Sequence, residues 1–409
     1  MTVRVLGRNA SRREGLTSFV VFSDDWGEHM SSSQHLFRHI AAQHRVLWVN
    51  TVGMRRPTLT LADLRKACRK LSRMMPLRRP NKSEGNSASP ITVCQPFMLP
   101  FGRYETVRAF NTLSVTRTVR ATVERTQLRC PIVVCTVPNA GDYRDLLRDW
   151  TVVYYCVDDF ALWPRLDADL VREMESRLIA RADVLVAASG KLCDRLAASG
   201  KPTHLLTHGV DVELFAAQAP AEHICLRDIP RPRAGFFGLI DDRTDQDLMI
   251  SVARLVPYFS LVFAGPIESA VAPLAACPNV HFTGPVRYRE LPSLIRGFDV
   301  LFIPYRTGEL AESLSPLKLK EYLVTGKPIV STPIAEARER KAHVSVAATA
   351  EEWAAALSAA LTTDGGARKH TILPAMEAES WAFKAQSLLK ICTDAALERS
   401  ARASPAPTV

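Results

Sequence analysis

Short apolar runs alternate with stretches of helical period along most of this 409-residue chain. The runs at 18–22, 45–50, 91–95, 132–136, 152–156 and 184–188 are rich in Val, Ile and Leu and do not alternate with polar residues. That composition predicts strands covered on both faces, as in a parallel sheet. Between them, 34–43, 104–125 and 166–181 place apolar residues at helical spacing. Strand and helix in repeated alternation predict a doubly wound α/β domain. A second series comes next, with strands expected at 234–237, 260–264, 280–283, 300–303 and 329–331. The fold class expected is therefore α/β, with two Rossmann-like doubly wound domains facing across a cleft. Ligands in such sheets bind beyond the carboxyl ends of the strands.

The boundaries that this pattern suggests are an extension over 1–16, a first domain over 17–215 and an interdomain linker over 216–233. A second domain over 234–375, a terminal helix over 376–398 and a disordered tail over 399–409 complete it. The linker is rich in Pro and Ala and shows no period. A polar loop, SEGNSAS, fills 83–89.

Composition narrows the function classes. At 47% hydrophobic and 23% charged residues, the chain reads as a globular protein with no need of disulfide or metal staples. No run of about 18 apolar residues occurs, so no transmembrane helix is expected. The start lacks the apolar core of a signal peptide. Nine cysteines form no CxxC pair. They are expected to be reduced thiols of a cytoplasmic protein, with no metal site and no cofactor. The net charge of +10 is concentrated in one place. Residues 61–82 hold eight Lys or Arg against one acid, Asp63, with Leu61, Leu64, Cys68, Leu71 and Met75 at helical spacing. A basic amphipathic helix of this kind can lie on an anionic membrane surface, or be an ordinary surface helix. Nucleic acid is not an expected partner, since no recognition module accompanies the charge.

The most informative segment is SPLKLKEYLVTGKPIV, 315–330. Pro316 suits the first position of a helix and Ser315 its cap, while Gly326 suits the stop. The helix expected over 316–325 opens from the carboxyl end of the strand at 300–303. A helix N-terminus there offers unpaired N–H groups and the positive dipole end to a diphosphate. Lys318 in the first turn opposes that dipole unless an anion binds. Glu321, one turn on, can accept hydrogen bonds from two vicinal ribose hydroxyls. The bland alternative is a structural helix in which Lys318 and Glu321 pair with each other or with water.

Other loops carry candidate chemistry. Gly238, in GFFGLIDDR (235–243), permits a ligand to approach the backbone. Arg287 and Tyr288 come after the strand at 280–283 and can stack on a ring; an exposed loop is the alternative. His29 and His35 flank a hydroxyl-rich loop after the first strand and titrate near neutral pH, as a general base requires. Asp158 and Asp159 come after the strand at 152–156, where a carboxylate can act as general base or hold sugar hydroxyls. Asp158 is the better placed of the two. Asp159 or Asp167 also suits a helix cap. Gly209 is expected to supply a turn.

This segment and the two-domain layout resemble the nucleotide-sugar glycosyltransferases of the GT-B fold, close to glycosyltransferase family 4 (glycosyl transferases group 1). The branch concerned has the pattern S-P-x-K-x-x-E-Y-L-x-x-G-K-P-[IV]-V, and the likeness runs from about 17 to 395. The resemblance implies a donor ribose held by Glu321, the second glutamate of a Glu-x7-Glu pair. The first falls on Ser313, with Glu309 and Glu312 nearby. It implies a diphosphate at the backbone around Ser315, Pro316 and Leu317. The family's Arg and Lys after the first strand of the second domain are not at their usual offsets, which leaves Arg243 or Lys318 to neutralise the diphosphate. The loop at 284–288 would face the nucleobase, the loop at 23–35 the acceptor and the donor phosphates, and Asp158 the transferred sugar. THGVD, 207–211, resembles the family's N-G-V-D at the close of the first domain.

The expected activity is that of a transferase that moves a sugar from a nucleotide-diphosphate sugar to a glycan or lipid-linked acceptor. It would work without a metal and with retention, at the inner membrane face, in exopolysaccharide or cell-envelope synthesis. A nucleotide-sugar epimerase and a non-catalytic GT-B subunit of an assembly complex are the alternatives.

Overall fold

The computed structural model describes residues 17–27, 30–51, 91–99, 103–163, 166–217, 219, 221–362 and 365–403. His29, the basic segment 61–82, the loop 83–89, the extension 1–16 and the residues after Ala403 lie outside them. The chain divides into two compact units, one of Met1–Leu206 with Ala385–Val409, the other of Thr207–Lys384.

The first unit is built on strands β1 (Ser18–Ser23), β2 (Arg45–Asn50), β3 (Ile91–Cys94), β4 (Ile132–Cys135), β5 (Val152–Cys156), β6 (Val184–Ala187) and β7 (Thr203–Leu205). All pair in parallel, in the order β3-β2-β1-β4-β5-β6-β7. Its principal helices are α1 (Ser32–Ile40), α2 (Glu105–Arg125), α3 (Ala168–Arg181) and α4 (Gly190–Ala197). Every residue of β1, β4, β5 and β6 is buried, which is why each reads as an unbroken apolar run. Strand β7 escapes that signal because it lies at the sheet edge and is largely exposed.

The second unit holds β8 (Arg233–Phe237), β9 (Ser260–Ala264), β10 (Val280–Phe282), β11 (Val300–Ile303), β12 (Ile329–Ser331) and β13 (Ser345–Val346). They form a second parallel sheet, ordered β10-β9-β8-β11-β12-β13. The helices that matter below are α5 (Gln246–Leu255), α6 (Glu309–Ser313), α7 (Leu317–Thr325), α8 (Ala335–Glu339), α9 (Ala350–Ala360) and α10 (Gly365–Glu377). Both sheets follow the Rossmann order, with the direction of winding reversing between β1 and β4 and between β8 and β11.

The stretch 216–233 belongs to the second unit. It is tied together by its own last residue. Arg233 in β8 donates to the carbonyls of Ile229 and Leu226 at 2.7 and 2.8 Å and to Glu222 at 2.8 Å, while Leu226 is buried in the core. The terminal helix, α11 (Trp381–Ala403), runs into the stretch expected as tail. In the first unit its Leu388 and Cys392 are buried, and Arg399 pairs with Asp183 at 2.8 Å. No disulfide forms among the eight described cysteines.

Candidate functional site

The loops that leave β8 and β11 meet where the winding of the second sheet reverses. Gly238 comes directly after β8 with φ +129°, a conformation that only glycine adopts without strain. A Cβ there would lie 1.9 Å from Lys318 Cε, and one at Gly265 would lie 1.9 Å from the Gly238 carbonyl oxygen. Two bare backbones and one lysine thus occupy a space closed to any larger residue.

Lys318 reaches this space from the first turn of α7. Its ammonium donates to Tyr305 Oη at 3.1 Å and lies 5.3 and 5.7 Å from the ring centroids of Phe236 and Tyr305. Among the described residues it has no carboxylate partner. The expectation that Ser315 caps the helix is not met. Pro316 is the N-cap residue, no side chain caps the first turn and no acid stands in it. The Ser315 hydroxyl donates instead to Glu336 Oε2 at 3.1 Å. The N–H groups of the first turn are therefore left to backbone, water or ligand. The helix ends as expected at Gly326, with φ +75°.

Glu321 stands one turn from Lys318 and is 9% exposed. Its carboxylate makes no hydrogen bond or ion pair among the described residues, so Lys318 and Glu321 do not pair directly with each other. Burial pushes its pKa up to about 7, Lys318 opposes the rise, and Asp211 adds repulsion. Helix α7 is fixed by burial of Leu319 and Leu323 and by the Phe237 N–H, which donates to Tyr322 Oη at 3.2 Å.

Arg243 lies over the same Tyr305 ring, 5.8 Å from its centroid. Its Nε is 3.0 Å from each oxygen of Asp241. The charge expected to offset a diphosphate is thus already shared with a carboxylate, and the Asp241 turn is an ion pair as well as a solvated bend. Arg287 is exposed after β10 and no contact joins it to Lys318 or Glu321. Tyr288 packs edge-on against Phe215 at 5.8 Å. Burial pushes its hydroxyl up, and the charges of Glu321 and Asp211 add to that. Ser313 is buried and donates to the Leu310 carbonyl at 2.8 Å, while Glu312 is bound to Arg338.

In the first unit the equivalent reversal lies between β1 and β4. Asp24, which sequence reasoning misses, stands there. It accepts from Ser23 Oγ at 2.7 Å, Ser31 Oγ at 3.1 Å and Gln34 Nε2 at 3.2 Å, and its pKa is pushed up by burial against these bonds. Thr136, directly after β4, donates to Ser23 Oγ at 2.8 Å. The available signal is a Ser-Asp pair with Ser31 and Gln34 downstream, outweighed in that loop by its histidines. His35 sits half-buried in the first turn of α1. Asp158 is half-buried after β5, with its carbonyl accepting from Cys156 Sγ at 3.4 Å. Asp159 is the N-cap residue of the short 3-10 helix Phe160–Leu162 without a side-chain cap bond; its carboxylate lies 3.6 Å from Arg195 Nε, and Arg195 in turn binds the buried Glu175 at 2.6 Å. Asp167 is the cap of α3, accepting from the Leu170 N–H at 3.4 Å. Gly209 makes no left-handed turn; a Cβ there would fall 2.5 Å from the Trp381 ring, so close packing explains it.

Residues 231–363 match the family model of glycosyl transferases group 1. The matched stretch contains Gly238, Arg243, Arg287, Lys318 and Glu321. Over 205 residues the chain is 30% identical to TuaH of Bacillus subtilis (strain 168), which is named as a teichuronic acid biosynthesis glycosyltransferase. The match covers 46% of this chain and 51% of that protein, so the chain spans about half the length of the curated relative it matches. Among solved structures, HepE of Anabaena in complex with UDP and glucose superposes with a TM-score of 0.62 at 12% identity, over 92% of this chain and 100% of that one. Sucrose-phosphate synthase from Thermosynechococcus elongatus gives 0.67 at 12%, over 95% and 100%. These likenesses are of fold, and the fold is GT-B. No helix among the described residues is long and apolar enough to cross a membrane. No cluster of three metal-ligating side chains occurs among them either.

Proposed function

We propose that this protein is a glycosyltransferase that moves a sugar from a nucleotide-diphosphate sugar to a glycan or lipid-linked acceptor of the cell envelope. One observation carries the reading: the uncapped N-terminus of α7 presents Lys318 over Gly238 and, one turn on, a buried Glu321, and among the described residues Lys318 has no carboxylate partner and Glu321 no hydrogen bond or ion pair. In transfer the bond between the anomeric carbon and the phosphate oxygen breaks, a bond to the acceptor hydroxyl oxygen forms, and the diphosphate departs with added negative charge. Lys318 and the N–H groups of α7 are fixed positive groups at that point, so the proposed reaction needs no metal ion. Glu321 accepts hydrogen bonds from the ribose hydroxyls. Asp158 and His35 are the described candidates for the acceptor's proton, and His29 is a third by sequence. Retention at the sugar rests on the family resemblance. The match to the group 1 family model, the teichuronic acid relative and the UDP-bound HepE neighbour support the donor class and the setting. Residues 61–82 are proposed to rest on the anionic inner face of the membrane.

A second reading is favoured by Ser313, a hydroxyl where the family resemblance expects a carboxylate, and by the engagement of Glu312 with Arg338. It is a subunit that binds donor and does not turn it over. Incubation of the full chain with UDP-, GDP- and ADP-sugars, with and without a lipid extract as acceptor pool, separates the two. Transfer predicts free nucleoside diphosphate together with a glycosylated product only when acceptor is present. Release of no sugar from any donor contradicts it, and an isomerised donor without acceptor would point to an epimerase.

A further inference from the structure

Lys320, next to Glu321 on α7, is 0% exposed. Its ammonium donates to Thr207 Oγ1 at 2.8 Å, to the His208 carbonyl at 2.5 Å and to the Glu379 carboxylate. Lys384 joins the same group, 3.0 Å from Thr207 Oγ1 and 3.2 Å from Glu379 Oε1. Glu336 on α8, also buried, is influenced by the Lys320 charge and accepts from Ser315. Lys320 thus bonds α7 directly to Thr207, His208 and Glu379, with Lys384 on the same group, while Glu336 bears on it through charge alone.

A buried ammonium carries a desolvation cost of several kcal/mol, and an apolar side chain would fill an inward helix position without it. The cost is visible here: burial pushes the Lys320 pKa down against the pull of Glu336 and Glu379. Burial, then Lys320 and Lys384, push the neighbouring His208 imidazole down to about 3, so it stays neutral. What the ammonium provides, and an apolar group cannot, is three directed bonds to two segments far apart in sequence. Those segments are where the chain enters and leaves the second unit, at Leu206/Thr207 and Lys384/Ala385. They are also joined to each other, Val210 N–H donating to the Glu379 carbonyl at 2.9 Å and Trp381 N–H to the Val210 carbonyl at 3.2 Å.

We infer that Lys320 is a positioning residue that ties α7 to both chain crossings, so that a ligand at the N-terminus of α7 is felt at Thr207–His208 and at Glu379–Lys384. This rests on the reading of α7 as the donor site. Hydrogen–deuterium exchange of the full chain tests it, on peptides covering 207–211 and 379–384, with and without UDP, GDP or ADP. Binding of each is measured separately by calorimetry. The wild type is expected to bind one of these diphosphates and to exchange more slowly at both crossings when it does. Lys320→Met is expected to bind it with comparable affinity and to lose the protection at the crossings. Glu379→Gln, which keeps the shape and removes the paired charge, carries the same comparison should Lys320→Met fail to fold. Binding without protection in the wild type, or wild-type protection in the variants, overturns the inference. Absence of binding to all three diphosphates overturns the donor reading itself, and the inference with it.

Discussion

Glu321 concentrates the physical argument at the scale of a single residue. A carboxylate buried without a donor is costly, and its pKa of about 7 records that cost. The folded protein holds this proton more tightly than the unfolded chain, whose glutamate titrates near its ordinary 4.5. The stability it contributes is therefore complete below pH 4.5 and lost as pH rises through 7. Glu321→Gln removes the titration. Its melting temperature relative to wild type should rise between pH 5 and pH 8, by on the order of 5 °C for roughly 2–3 kcal/mol. A gap that stays constant across that range contradicts the assignment. Such an unsatisfied group is typical of a site built to complete itself with a ligand's hydroxyls. Lys318, half-buried, donates to a phenol and faces two rings, with no carboxylate partner among the described residues.

At the scale of elements, the parallel strands and the limits of α7 were legible because burial on both faces, Pro316 and Gly326 leave local signatures. The edge strands β7 and β13 were not, being short and exposed. Lys318 and Glu321 could be found because α7 fixes their spacing. Lys320 could not be, since a lysine at that position reads as solvated until Thr207 and Glu379, more than fifty residues away on either side, are seen to meet it. Asp24 was hidden for a related reason: its three donors come from two sides of a loop. The role of Ser315 was misjudged because cap preference is local, while its partner Glu336 lies 21 residues on. Arg243 is likewise decided by a neighbour, Asp241, that sequence alone reads as a solvated turn.

At the scale of the whole molecule, charge is the distinguishing quantity. A net +10, with eight basic residues between 61 and 82, gives the chain an attraction for anionic surfaces that salt screens. The full chain should sediment with liposomes containing anionic lipid at low salt and be released as salt is raised. Deletion of the basic side chains of 61–82 should abolish retention, and failure of the wild type to bind such liposomes at low salt removes the membrane proposal. The two Rossmann sheets establish the architecture, and architecture leaves activity open. The proposed activity rests on α7. Titration calorimetry of UDP, GDP and ADP against the wild type, Lys318→Met and Glu321→Ala is the most direct test. The account predicts that one diphosphate binds the wild type and that either substitution weakens it by tenfold or more, about 1.4 kcal/mol. Equal affinity of that diphosphate for the wild type and both variants would contradict the placement of the donor at α7.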